Sequence, residues 1–187
     1  MKTYLIQIAC ILSLVLNLNA QENLQIDVTK SELKWSGEYT FYFGGHDGFI
    51  KFQEGYFIKT GNQITGGYFI IDMNSITNSD IKEEDANEGL VSHLKNPDFF
   101  DVEQFSKATL KITNVEYHNA TDMKVYADLT IKNITNPVSF QAQVNFEKQQ
   151  LITKFKIDRV LWGINYNSKL KDGAISDAIG FEVLLSL

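Results

Sequence analysis

The side chains of this 187-residue chain best suited to chemistry are His46, His93, His118, Cys10, the acidic run Glu83-Glu84-Asp85 and Arg159. A metal site needs imidazole, thiolate or carboxylate groups that converge on one point. The histidines do not pair at ligand spacing, and Asp47, which follows His46, points to the opposite face of any strand carrying both. A serine nucleophile needs a base in reach on a strained turn, and the sequence holds no Gly-x-Ser-x-Gly elbow. Glu83, Glu84 and Asp85 read as the solvated start of a helix rather than as an acid–base pair. These observations point to binding without catalysis, metal or cofactor. Asn119-Ala-Thr121 and Asn133-Ile-Thr135 are sequons, meaningful only in a host that glycosylates them.

Arg159 poses a different question. The phase of Leu151, Thr153, Phe155 and Ile157 carries it onto an apolar face, where a guanidinium needs either a partner carboxylate or an anionic ligand. Both readings stand at the level of sequence.

Those residues sit in a chain that begins with Met1 and Lys2, an apolar run from Tyr4 to Leu18, and Asn19-Ala20-Gln21. This is the layout of a secretory signal peptide cut after Ala20, and its apolar run is shorter than the roughly 20 residues a bilayer-spanning helix needs. The expected organisation is a signal peptide over 1–20 and one folded domain over 21–187, periplasmic or secreted and not membrane-spanning. Gln7 stands where a lipobox has leucine, which argues against lipid anchoring at Cys10. With Cys10 removed the domain has no thiol, so its stability must come from one hydrophobic core. A formal net charge of −6, without a basic patch, disfavours nucleic-acid binding.

The elements that must position any site are mostly strands. Leu33, Trp35, Gly37, Tyr39, Phe41 and Phe43 alternate with Glu32, Lys34, Ser36, Glu38, Thr40 and Tyr42. The same period of two recurs from Met123 to Lys132 and from Val138 to Phe146, and less regularly over 49–59, 63–73, 108–117, 151–159 and 179–187. Turn signals separate them, among them Gly44-Gly45, Thr60-Gly61-Asn62, His118-Asn119-Ala120 and Lys148-Gln149-Gln150. Eight antiparallel strands, each with one wet face, must pair as a sandwich or close as a barrel, and closure removes exposed edges. The exception is 79–95, where Asp80 and Glu83 resemble a capping box and Ala86, Leu90 and Leu94 form one stripe. This predicts a single inserted helix ending before Pro97.

One stretch carries more than composition. His93-Leu-Lys-Asn-Pro-Asp-Phe-Phe-Asp-Val-Glu-Gln-Phe105 resembles the HLKSxDFFDVExxP segment of the YceI-like family of polyisoprenoid-binding proteins. In the same order, Gly45-His-Asp-Gly48 with Ile50-Lys-Phe52 is similar to the family's GTHHGxxKF and Gly67 to Ile76 to its GxFxIDMxSI. Leu129 to Pro137 resembles its LTIKGVTKP, and Ile157 to Ile164 its IDRTxWGI. The resemblance implies an all-β fold, an eight-stranded antiparallel lipocalin-like barrel with one inserted helix, holding a long amphiphile such as an isoprenoid or fatty-acid derivative. Asp47 replaces the family's second histidine, and Ser168 to Gly173 looks shorter than the usual loop.

An eight-stranded barrel is just wide enough to be filled by side chains or to hold one small ligand. Its inward set would comprise Trp35, Tyr39, Phe41, Phe43, Phe52 and Phe69, together with Ile71, Leu129, Phe140 and Phe155. Gly37, Ala127 and Ala142 would leave space between them. Phe100 and Trp162, from the family-like segments, complete the expected lining, and His46 and Arg159 are the candidate head-group contacts. The expected partner is an isoprenoid or fatty-acid-like lipid, and a homodimer is compatible with the sequence. The alternatives are an interaction or stress-related barrel with a filled core and, less favoured, an enzyme acting on isoprenoids.

Overall fold

Period-two alternation becomes a wall wherever it is unbroken. A computed structural model describes residues 20–40, 43–166 and 175–187. Its strands are β1 (Gln21–Gln25), β2 (Glu32–Tyr39), β3 (Gly45–Thr60), β4 (Gln63–Asp72), β5 (Lys107–Tyr117), β6 (Asp122–Ile131), β7 (Ile134–Asn145), β8 (Gln150–Asp158) and β9 (Ile175–Ser186). All pairings are antiparallel, in the order β1-β3-β2-β9-β8-β7-β6-β5-β4, and a β3–β4 ladder closes the ring. In β6 the alternation is complete: Met123, Val125, Ala127, Leu129 and Ile131 are buried while the residues between them are not.

The ring has eight positions although nine strands form it. β1 pairs with the far part of β3, Gln21 opposite Thr60, and β2 with its near part, Leu33 opposite Ile50. Between them the Asp27 N–H donates to the Ser186 carbonyl at 2.8 Å, drawing the chain towards β9. The QENLQ sequence of β1 has no apolar alternation because almost all of it is exposed.

Three boundaries differ from expectation. β2 stops at Tyr39 behind a bulge after Gly37. Phe41 lies outside the described residues, and Phe43, expected inside, is fully exposed. β8 ends at Asp158, whose carboxylate accepts the Val160 N–H at 3.0 Å and starts a 3₁₀ turn over Arg159–Trp162. Gly163, at φ 70°, ends that turn in the left-handed region that favours glycine. In β3 a bulge between Phe52 and Glu54 reverses the phase, so Phe57 is buried where Tyr56 and Ile58 were expected.

The helix α1 spans Glu84–Lys95 and ends at Asn96, before Pro97. Its N-cap is Glu83, without a side-chain cap, so the expected capping box at Asp80 is corrected. Leu94 is buried, Leu90 packs partly against the core, and Ala86 is exposed. The insertion is pinned to one end of the barrel. The Trp35 indole N–H donates to the Thr77 carbonyl at 2.9 Å, and Lys132 Nζ donates to the Phe99 carbonyl at 2.9 Å. Gly48 permits the first contact, since any side chain there would collide with the Thr77 carbonyl oxygen.

The wall is not uniformly bonded. β6 and β7 stay in register from Asp122↔Gln143 to Ile131↔Ile134. β7 and β8 pair only from Asn145↔Gln150 to Ala142↔Thr153.

Candidate ligand cavity

The inward side chains do not fill the barrel. They leave an apolar cavity of about 130 Å³ running from Leu185 and Leu151 to Arg159 and Ile175. Of the residues expected to line it, Trp35, Phe52, Phe69, Ile71, Phe100, Leu129, Phe140 and Phe155 do so. Gly37 borders it with open space where its Cβ would stand.

Three expected lining residues lie elsewhere. Phe43 faces solvent at the β2–β3 turn. Tyr39 is diverted by the bulge and directs its hydroxyl to His46 Nε2 at 2.9 Å. Trp162 is buried, its indole N–H bound to the Leu129 carbonyl at 3.0 Å, and it does not border the cavity.

The lining also includes residues that alternation did not indicate. Phe57 enters through the β3 bulge, and Ile76, Leu94 and Phe99 come from the insertion, while Met73, which the alternation of 63–73 did indicate, borders the cavity as well. The sequence signals for the insertion's share were the Leu90–Leu94 stripe and the family-like segments Gly67 to Ile76 and His93 to Phe105. Phe140 stacks on Phe155 with centroids 4.5 Å apart, and Phe155 meets Phe181 at 5.3 Å, a run of rings along one side.

Polar groups bordering the cavity are already occupied. The Thr153 hydroxyl donates to the Gln141 carbonyl at 2.6 Å. Arg159 is only 2% exposed. Its Nε donates to the Ser176 carbonyl at 3.2 Å, one terminal nitrogen to the Ile164 carbonyl, and the other to Asp177 Oδ1 at 2.9 Å. A buried guanidinium is tolerated because its donors are met. The ion-pair reading of Arg159 is therefore realised, and an anion there would compete with Asp177.

His46 stands off the cavity, in a polar brace. Its Nδ1 lies 2.8 Å from Asp80 Oδ2, and Asp80 Oδ1 accepts the Asp47 N–H at 2.9 Å. Burial pushes the Asp80 carboxyl up, but the Asp47 N–H, His46 and Asn78 outweigh it and hold the group at about 2. An ionised Asp80 can only accept, so His46 Nδ1 carries a proton towards it, while Nε2 faces the Tyr39 hydroxyl. Asp47, held low chiefly by Lys34 and Ser79, extends the brace. Together they tie the β2–β3 turn to the segment before α1. His93 lies apart, its ring edge-on to Tyr166 at 4.5 Å.

Among the described residues, no cluster of three His, Cys, Asp or Glu is placed to hold a metal ion. Among the same residues, no helix is long and apolar enough to cross a membrane.

Residues 24–187 match the family model described as YceI-like domain. A UPF0312 protein of Staphylococcus aureus (strain N315) is 35% identical over 98 residues, which cover 48% of this chain and 54% of that protein. The corresponding protein of strain MRSA252 is 34% identical over the same length. The chain thus spans about half the length of these curated relatives. Among solved structures, Burkholderia cenocepacia BcnA superposes with a TM-score of 0.70 at 16% identity, over 86% of this chain and 98% of that one. That likeness is one of fold.

Proposed function

Because this chain belongs to the YceI-like family, we propose that it binds and sequesters a long-chain amphiphile, a polyisoprenoid or fatty-acid derivative, inside the barrel, in the periplasm or outside the cell. The observation that carries this reading is the apolar cavity along the barrel axis. Each buried methylene contributes about 0.8 kcal/mol, so the roughly fifteen of a long-chain fatty acid supply about 12 kcal/mol, of which about 4 kcal/mol is lost to ordering. That is enough for retention without covalent chemistry. The tail lies among Phe52, Phe69, Leu129 and Phe140. The head rests at the helix-bearing end, where Arg159, paired with Asp177, borders the cavity and His46, bound to Tyr39, stands off it. The protein acts as a carrier, not as a catalyst.

Titration with a fluorescent long-chain fatty acid tests this. Gly37→Phe places a ring in open space at a position without a strained φ. The wild type should bind with a Kd of about 1 μM or tighter. Gly37→Phe should keep its melting temperature and lose roughly tenfold or more in affinity. Absence of saturable binding by the wild type would support a barrel that serves protein contacts instead.

A further inference from the structure

The cavity is small for its proposed cargo. At about 130 Å³ it is close to the roughly 150 Å³ apolar cavity that accepts benzene in another protein. A chain of ten or more carbons therefore enters only if some part of the lining moves. Among the described residues the shortest ladder is β7–β8, with four residue pairs. β4–β5 also stops short, at Gly67↔Ile112, but there the Ile64 N–H donates to the Tyr117 hydroxyl at 2.7 Å.

Beyond Ala142↔Thr153, β7 and β8 continue side by side without backbone pairing. The last contact is made by a side chain, the Thr153 hydroxyl on the Gln141 carbonyl. That bond shows that Gln141 turns its backbone towards β8, and the two-residue alternation gives Pro137 the same direction. Proline has no N–H to offer there, and sheets place proline where a ladder is absent. Higher up, the Asn136 amide donates to the Leu161 carbonyl at 2.9 Å, a single side-chain bond across the gap.

Between those two bonds the seam is closed by apolar contact. Val138, Phe140 and Phe155 point inward yet are only half-buried, and Phe140 stacks on Phe155 across the gap. At its upper end Ile134, Val160 and Leu161 are exposed. A chain entering at the upper end meets the exposed Ile134, Val160 and Leu161 and then the inward Val138, Phe140 and Phe155, and breaks no backbone hydrogen bond on the way. Ser139 and Lys156 flank the seam's outer face. The same passage through β6–β7 would break a continuous ladder.

We propose that the β7–β8 seam is the lateral portal through which the aliphatic chain enters the cavity, with Phe140 and Phe155 as the pair that parts. This rests on the lipid-binding reading above. The portal is a property of the wall and leaves final affinity to the lining.

Tethering the seam tests it. Continuing the β7–β8 register places Ser139 opposite Lys156, both exposed. In the full chain carrying Cys10→Ser, the pair Ser139→Cys and Lys156→Cys is joined as a disulfide, or by a short bis-maleimide. The control pair, Lys154→Cys and Glu182→Cys, spans the bonded β8–β9 ladder. Uptake of a fluorescent long-chain fatty acid is followed by stopped flow. The joined seam variant should load roughly tenfold or more slowly than its reduced form, with the same final occupancy, while the control loads at one rate in both forms. Equal rates for joined and open seam would overturn the portal and leave lipid binding intact. If no form takes up the probe, the lipid-binding reading itself fails.

Discussion

Trp162 donates its indole N–H to the Leu129 carbonyl at 3.0 Å, so a buried tryptophan and a cavity-lining leucine are joined through the backbone while their side chains serve different spaces. The bond fixes the 3₁₀ turn against β6. Trp162→Phe keeps most of the apolar bulk but leaves that carbonyl without its donor. We expect a loss of about 1–3 kcal/mol in stability, with fatty-acid affinity unchanged once the protein is folded. Chemical denaturation and a binding titration on the same sample check both. A large affinity loss would return Trp162 to the lining.

Arg159 meets the carbonyls of Ser176 and Ile164 and the carboxylate of Asp177 from a buried position. Arg159→Met removes the charge and leaves those carbonyls unmet, at a cost on the order of 3 kcal/mol. Arg159→Lys should recover only part of it, because an ammonium cannot reproduce the planar fork. Urea midpoints of the three proteins should fall in the order wild type, lysine, methionine. Equal midpoints for wild type and Arg159→Met would contradict the structural role.

Asp80 has a folded value of about 2 against an ordinary 3.8. As pH falls, the unfolded chain takes up this proton first, so the stabilisation is complete above about pH 4 and is lost as pH drops towards about 2. In Asp80→Asn that contribution is missing at every pH. The gap in melting temperature between wild type and variant should therefore be full at pH 5 and above and shrink at pH 3 and below. A gap independent of pH would show that the brace does not depend on the carboxylate's charge.

Phe43 is an aromatic residue that the alternation placed inside and the structure places in solvent. Phe43→Ser should change stability by no more than about 0.5 kcal/mol and leave fatty-acid binding untouched. Phe52→Ala, by contrast, opens the lining and should cost about 3–5 kcal/mol. Melting curves of the two variants distinguish an exposed ring from a lining one.

What could be read in the sequence was the regular part of the wall. Val125, Leu129, Phe140 and Leu151 follow from alternation because nothing interrupts their strands. Phe57 does not, because the bulge after Phe52 adds a residue and reverses the face, and no residue type marks that insertion. β1 was invisible because its pairing rests on backbone bonds along β3 rather than on apolar burial. The inward phase of Arg159 was legible, but its partners come from the segments at Ile164 and Ser176–Asp177, brought together only by folding. Likewise His46 and Asp80 stand 34 residues apart and meet through the insertion. For Trp162, hydrophobicity indicated burial, while its partner, the Leu129 carbonyl, is brought to it only by folding.

The central claim is that the cavity carries a long-chain amphiphile, and native mass spectrometry of the protein purified from its own expressing cells, followed by solvent extraction, tests it most directly. The account predicts a stoichiometric adduct that is released as an isoprenoid or fatty-acid-like molecule and is absent from Gly37→Phe. A wild-type protein that flies at its bare mass and takes up neither class when offered them would contradict it.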